Sequence, residues 1–244
     1  MGAPLWTNLF RFRICVHLCS SVVNSFSTKS SRLSLRSGAA GNRLAAMAAD
    51  PPTAFLRLFI AIAVPPAVRQ EIARAQGRLR RLSPPGAVRW TRPDQFHVTL
   101  KFLGDVPAGQ VPALETSLAP VCAAFPALPL SARGIGFFPN ARQPRVIWAA
   151  ASDGPGRLPE LHRQIAAALR WLAPAEPPEK FTAHITLGRF KPGRHAAIPK
   201  LLELTAALRD QPFGDWPARA VELVRSELTS TGAEHFPLAS FPLA

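Results

Sequence analysis

Two tetrapeptides of one pattern stand out as chemistry. His97-Val98-Thr99-Leu100 lies in QFHVTLKFLG, and His184-Ile185-Thr186-Leu187 lies in FTAHITLGRF. In an extended strand successive side chains alternate between faces, so His97 and Thr99 share one face while Val98, Leu100 and Phe102 take the other. A strand made only for packing has little use for an imidazole and a hydroxyl on one face, and still less for two such strands. With ordinary residue usage one such tetrapeptide arises in roughly one chain in twenty of this length, and two copies in about one in a thousand.

Two imidazoles facing one cleft can serve as general acid and general base, because the ring titrates near neutrality and small shifts hold one neutral and the other protonated. Threonine hydroxyls beside them suit the nonbridging oxygens of a phosphate. The reaction implied is phosphoester hydrolysis. No Asp/Glu/His cluster of the kind that holds paired metals is evident in the sequence, so neither a metal nor another cofactor is expected. The plainer alternative makes both histidines packing or surface residues.

The elements around the motifs form a mixed series. Residues 57–64, RLFIAIAV, are a short apolar run that predicts a buried strand, and Pro65-Pro66 then starts a helix with Val68, Ile72, Leu79 and Leu82 on one face. The arginines on its other faces (Arg69, Arg74, Arg78, Arg80, Arg81) read as a solvated basic surface, or as a track for an RNA backbone. A short strand at 88–91 precedes the first motif strand, which Gly104 and Asp105 are expected to end. A helix at 108–124, strands at 128–138 and 145–151, and a helix at 156–172 lead to the second motif strand. A helix at 196–208 and strands at 218–230 and 234–243 close the chain. This order argues an α+β fold, and the paired motifs argue two similar lobes, each contributing one motif strand.

The chain has 244 residues, 29 Lys and Arg against 15 Asp and Glu, and a net charge of +14. The first 46 residues hold six of the basic side chains and no acid, leaving 23 basic against 15 acidic residues, or +8, in the remainder. The body is therefore basic in its own right, which suits an anionic partner such as RNA or a nucleotide. Residues 1–46 are Ser- and Arg-rich without periodicity; they are expected to be a disordered extension, either upstream of a true start at Met47 or a transit-like leader. Residues 47–244 are expected to form a single two-lobed domain. Three cysteines, Cys15, Cys19 and Cys122, form no disulfide framework, so a reducing compartment is expected: the cytoplasm, or an organelle if the leader is real. Cys15 and Cys19 flank His17, but no second pair at zinc-finger spacing follows. No apolar run approaches the roughly 20 residues that span a bilayer, so no membrane partner is expected.

At this point the residues carry a family resemblance. RLFIAIAVP, FHVTLKFLG and FTAHITLGRF resemble the 2H phosphoesterase superfamily, and more narrowly the RNA 2′,3′-cyclic phosphodiesterases once described as 2′-5′ RNA ligases, over about residues 56–243. The resemblance implies antiparallel sheets lining a central cleft with helices outside. It implies His97 as proton donor to the leaving O3′, His184 as the base that activates water, Thr99 and Thr186 as phosphate holders, and a 2′-phosphate product. Partners would be RNA ends or nucleotides bearing a 2′,3′-cyclic phosphate, and the protein a monomer.

Arg189 matches a basic residue that the family carries after its second motif. It lies an odd number of places from His184, so strict alternation sends it to the wrong face unless Gly188 makes a bulge. Lys101 shares the His97 face by parity. His162 reads as a packing or surface residue, and His195 and His235 have no partner recognisable in the sequence. Trp90, Phe137, Phe138 and Phe190 read as core or as base-stacking residues. Gly134-Ile135-Gly136 lacks the third glycine of a dinucleotide fingerprint, and neither a P-loop nor a G-x-S-x-G elbow occurs. Two other readings stay open: a different 2H reaction, such as 2′-5′ joining or another cyclic phosphate, and a nucleotide- or RNA-binding module without turnover.

Overall fold

The first apolar run forms β1 (Phe55–Ala63), and its two faces already separate the molecule into a core side and a cleft side. Leu58, Ile60 and Ile62 point into the main core, whereas Phe59 and Ala61 join Val224 in a small cluster on the opposite face. The structure, a computed structural model, describes residues 54–173, 180–191, 199–230 and 232–244. The readings of residues 1–46, of His195 and of most of the proline-rich loop before the second motif lie outside the described residues.

Helix α1 (Pro66–Leu82) begins on the proline pair, where a missing backbone N–H costs nothing, and buries Val68, Ile72, Ala75, Gln76 and Leu79 along one stripe. The short β2 (Val88–Trp90) and the first motif strand β3 (His97–Pro107) follow. Then come α2 (Val111–Ala123), β4 (Leu128–Phe138), β5 (Val146–Ser152) and α3 (Leu158–Ala168). The carboxylate of the buried Asp153 accepts the backbone N–H groups of Arg157 and Leu158, satisfying donors that the start of α3 leaves open. The second motif strand β6 (His184–Phe190), α4 (Pro199–Ala207), β7 (Pro212–Ala218), β8 (Ala220–Leu228) and β9 (Ala233–Pro242) complete the series.

The strands form one antiparallel sheet in the order β7-β4-β5-β6-β3-β1-β8-β9, with β2 added beside β6. Its centre is the boundary between β6 and β3, so the expected pair of sheets is one sheet with two halves: β3-β1-β8-β9 and β6-β5-β4-β7. The two motif strands are immediate neighbours there, joined at Val98↔Ile185, and β2 takes over the pairing with β6 from Gly188 to Phe190. Helices α2 and α3 pack together, α2 against β9 and α3 against β3, while α1 lies against β7 and α4. The apolar faces of helices and sheet meet in one cluster that includes Ile60, Ile72, Leu114, Leu118, Leu161, Ile165, Ile185 and Leu187.

Three elements depart from the sequence reading, β3 in two places. Gly104 does not end β3: at φ +72° it sits in a bulge, with Leu58 opposite Gly104 and Phe59 opposite Phe102, and pairing resumes to Pro107. A second bulge, with Ile60 opposite Lys101 and Ala61 opposite Thr99, overturns the parity argument beyond Leu100. Lys101 shares the face of the core residue Ile60, near the buried His162, and Phe102 joins Phe59 on the cleft side, 59% exposed. The α3 stripe continues past Ala168 only as turns. Finally β7, sequence PFGDWPA, pairs with β4 at the edge of the sheet, a place that tolerates its two prolines.

Candidate active site

His97 and His184 each open their strand, and each is oriented by the same local device. The Nδ1 of His97 lies 2.8 Å from the carbonyl oxygen of Gln95, and the Nδ1 of His184 lies 2.7 Å from that of Thr182. A carbonyl only accepts, so Nδ1 carries the proton in both rings and Nε2 is left for a ligand. Because β3 and β6 run antiparallel through Val98↔Ile185, one step in either direction sets His97 across from Thr186 and Thr99 across from His184. All four side chains occupy the face opposite the core and are half-buried. The structure seats both motifs side by side at the middle of one sheet.

Aromatic rings back both imidazoles. Phe59 lies 4.8 Å from His97 between ring centres, and Phe138 lies 4.9 Å from His184, edge-on at 87°. Phe138 rests in turn on Trp148 at 5.0 Å. Trp148 lies over Gly136, where an added Cβ would come within 2.3 Å of the indole. Phe138 therefore belongs to the site, whereas Phe137 and Phe190 are buried in the core, and Trp90 packs against it.

The parity objection to Arg189 is removed by the strand itself. On β5, Ile147 pairs with Gly188 but the next residue, Trp148, pairs with Thr186, which leaves Leu187 as an extra residue. Alternation restarts after this bulge: Leu187 and Gly188 are both buried, and the exposed Arg189 returns to the face of His184 and Thr186. A Cβ at Gly188 would approach the Val88 side chain to 2.7 Å, so the glycine lets β2 lie close against the bulge. The displaced carbonyl of Leu187 accepts the backbone N–H of Thr91 at 2.9 Å and the Gln76 amide at 2.9 Å. Gln76 also donates to the Thr91 carbonyl, at 2.7 Å, so one buried side chain of α1 ties β2 to the bulge.

Electrostatics follow from crowding and from like charges. Burial, followed by the neighbouring charges of His235, His184 and Arg189, pushes His97 down to about 4, against the opposing pull of the Gln95 carbonyl. His184 is lowered by the same causes in weaker form: burial first, then Arg189, opposed by Thr182. Desolvation by the atoms crowded around it, then Arg89, its direct partner across the β2–β6 ladder, lower Arg189 although its side chain reaches the surface; it stays cationic at neutral pH because a guanidinium starts so high. Among the described residues no group of three or more His, Cys, Asp or Glu side chains gathers as a metal site.

His162 lies outside this constellation, buried and stacked on Phe181 at 4.4 Å. His235, by contrast, lies inside it. Its ring meets Phe59 at 5.0 Å and His97 at 5.3 Å, edge-on to both. Sequence spacing gave no signal for it, since it comes from β9 at the far edge of the sheet.

Like histidine–threonine motifs adjoining at the centre of an antiparallel sheet, with helices behind, define the 2H phosphoesterase architecture. Comparison with known proteins agrees. The family described as LigT like Phosphoesterase matches residues 62–148. An RNA 2′,3′-cyclic phosphodiesterase of Methanothermobacter thermautotrophicus is 31% identical over 188 residues, 77% of this chain and 99% of the relative. One from Thermus thermophilus is 34% identical over 197 residues, 77% of this chain and 90% of its own. Among solved structures, a Thermus thermophilus protein superposes with a TM-score of 0.64 at 30% identity, covering 77% of this chain and 98% of the other. LigT of E. coli in complex with NADP+ gives 0.57 at 26% identity, covering 78% and 98%. The chain belongs to the LigT-like phosphoesterase family.

Proposed function

We propose that the protein hydrolyses 2′,3′-cyclic phosphates at RNA ends or on nucleotides, leaving a 2′-phosphate. The observation that carries this reading is the pair of imidazoles, each with its Nδ1 proton fixed on a carbonyl, opening adjoining strands on one exposed face. His184 takes a proton from water at Nε2 as the oxygen attacks phosphorus. His97 gives its Nε2 proton to O3′ as the P–O3′ bond breaks. Thr99 and Thr186 donate their hydroxyls to the nonbridging oxygens, and Arg189 offsets their charge. Relatives named RNA 2′,3′-cyclic phosphodiesterases support the substrate class, and the NADP+ complex of E. coli LigT supports a cleft that admits nucleotides.

Residues 47–244 form the proposed catalytic unit, acting as a monomer without a metal. Among the described residues no helix is long and apolar enough to cross a membrane, and Cys122 is a buried free thiol. We place the protein in the cytoplasm on the thiol and on its RNA substrate; mass spectrometry of the native N-terminus tests this and the role of residues 1–46 together.

The assay is turnover of 2′,3′-cyclic nucleotides and of RNA with a cyclic-phosphate end, with product analysis in the presence and absence of EDTA. The expected product is the 2′-phosphate at an undiminished rate in EDTA. His97→Ala and His184→Ala are each expected to lose about 100- to 10,000-fold in kcat with an unchanged circular dichroism spectrum. Full activity in His184→Ala sinks the mechanism. A 2′-5′ linked product, or turnover of a different cyclic phosphate alone, redirects the assignment within the family.

A further inference from the structure

Among the described residues three histidine side chains line the cleft, and the two-proton reaction accounts for two of them. The third, His235, is held in place by the same residue that holds His97. The main-chain carbonyl of Gln95 accepts the Nδ1 proton of His97, and the Gln95 side-chain amide donates to the carbonyl of Ala233, two residues before His235. Gln95 therefore fixes the start of β9 relative to the first residue of β3. The consequence is a three-ring cluster in which His97, Phe59 and His235 all lie within 5.3 Å of one another between ring centres. Register places His235 on the cleft face by alternation: Phe59 pairs with Val224, Val224 with Pro237, and Ser226 with His235.

We propose that His235 is a positioning residue for His97, clamping its ring edge-on against Phe59 and coupling the charge of one imidazole to that of the other. The inference rests on the catalytic role given above to His97. Phenylalanine alone could serve as a wall, but an imidazole at this distance does more. As pH falls, whichever ring is protonated first raises the cost of charging its neighbour. The other charged groups around the pair include Arg92 and Asp94, from the turn before β3, on the His235 side, and His184 and Arg189 on the His97 side. A further one, Glu222 of β8, lies opposite Ala61 on the same sheet face and is raised by burial. Arg92 and Asp94 pair with each other at 2.5 Å, so much of their effect on His235 cancels. Among the neighbouring charges that act on His97, His235 weighs ahead of His184 and Arg189.

The test uses two variants of the full chain. His235→Phe keeps the ring and removes the charge; His235→Ala removes both. Histidine-selective NMR titration reads the midpoint of His97 directly and needs no turnover. In His235→Phe that midpoint is expected to rise by about half a pH unit or more, as loss of a like charge at this separation implies. The alkaline limb of kcat/KM should move up by the same amount. In His235→Ala, kcat is expected to fall about tenfold or more with KM less affected, because the ring of His97 is no longer held. An unmoved His97 midpoint in His235→Phe, or full kcat in His235→Ala, overturns the proposal. If the parent protein turns over no cyclic phosphate, the catalytic reading fails, while the NMR midpoint still decides whether the two rings are coupled.

Discussion

The two halves of the sheet present the same motif in the same way, and then diverge. In each, an imidazole donates Nδ1–H to a carbonyl two residues back and rests on a phenylalanine. Beyond that shared frame the half built on β3 adds a third imidazole, His235, and the half built on β6 adds a guanidinium, Arg189, delivered by a bulge. The shared part fixes which nitrogen faces the ligand. The unshared part makes the two rings unequal, and an acid–base pair needs that inequality.

Removing Arg189 should be the most damaging way to test this asymmetry. Arg189→Ala is expected to lower kcat/KM about 100- to 1000-fold, the scale seen when a donor to a developing oxyanion is deleted, and Arg189→Lys to recover only part of it. A loss below threefold would mean that the bulge delivers the guanidinium to no purpose. A smaller effect is expected from the support behind the bulge. Gln76→Leu leaves the Thr91 carbonyl without its side-chain donor, and should cost about 1–3 kcal/mol of stability in urea unfolding, with activity retained in the folded fraction. An unchanged midpoint would count against Gln76 as the tie between β2 and the bulge.

The smallest effect is a displacement of the pH profile. In the proposed mechanism His97, as donor, must be protonated, and that fraction falls as pH rises through a value lowered to about 4; His184, as acceptor, must be neutral, and that fraction falls as pH drops through its own lowered value. Both limbs of kcat/KM, which report the empty cleft, should therefore lie below the usual imidazole value of about 6.5. A bound phosphate anion favours the charged rings, so the kcat profile should lie to the alkaline side. Coincident profiles centred near neutrality would mean that the cleft does not depress these rings.

How much of this was legible depends on the range of the interaction. The motif pairs and the apolar stripes of α1 and α3 are local patterns, and spacing along the chain gave them. The bulge at Leu187 was accessible because a glycine and a misplaced parity marked it. The bulge at Leu100–Lys101 carries no glycine, so nothing local warned that Lys101 and Phe102 exchange faces. β7 was given no strand in the sequence reading, and its two prolines are tolerated because it lies at the sheet edge. His235 was invisible for a different reason: its partners Phe59 and His97 come from strands formed by residues far earlier in the chain, and only the strand order brings them together.

That strand order carries one more implication. The chain starts in the β3 half with β1, passes to the β6 half for α1 and β2, returns for β3 and α2, and continues to shuttle until β8 and β9 close the half in which it began. Neither half is a contiguous stretch of sequence that could be cut out and expressed alone, despite their likeness. Loss of activity in denaturant should accordingly coincide with loss of secondary structure in a single transition. During synthesis the last strand must emerge before the cluster around His97 exists, so a truncated chain lacking β9 would carry both motifs and still lack a finished site.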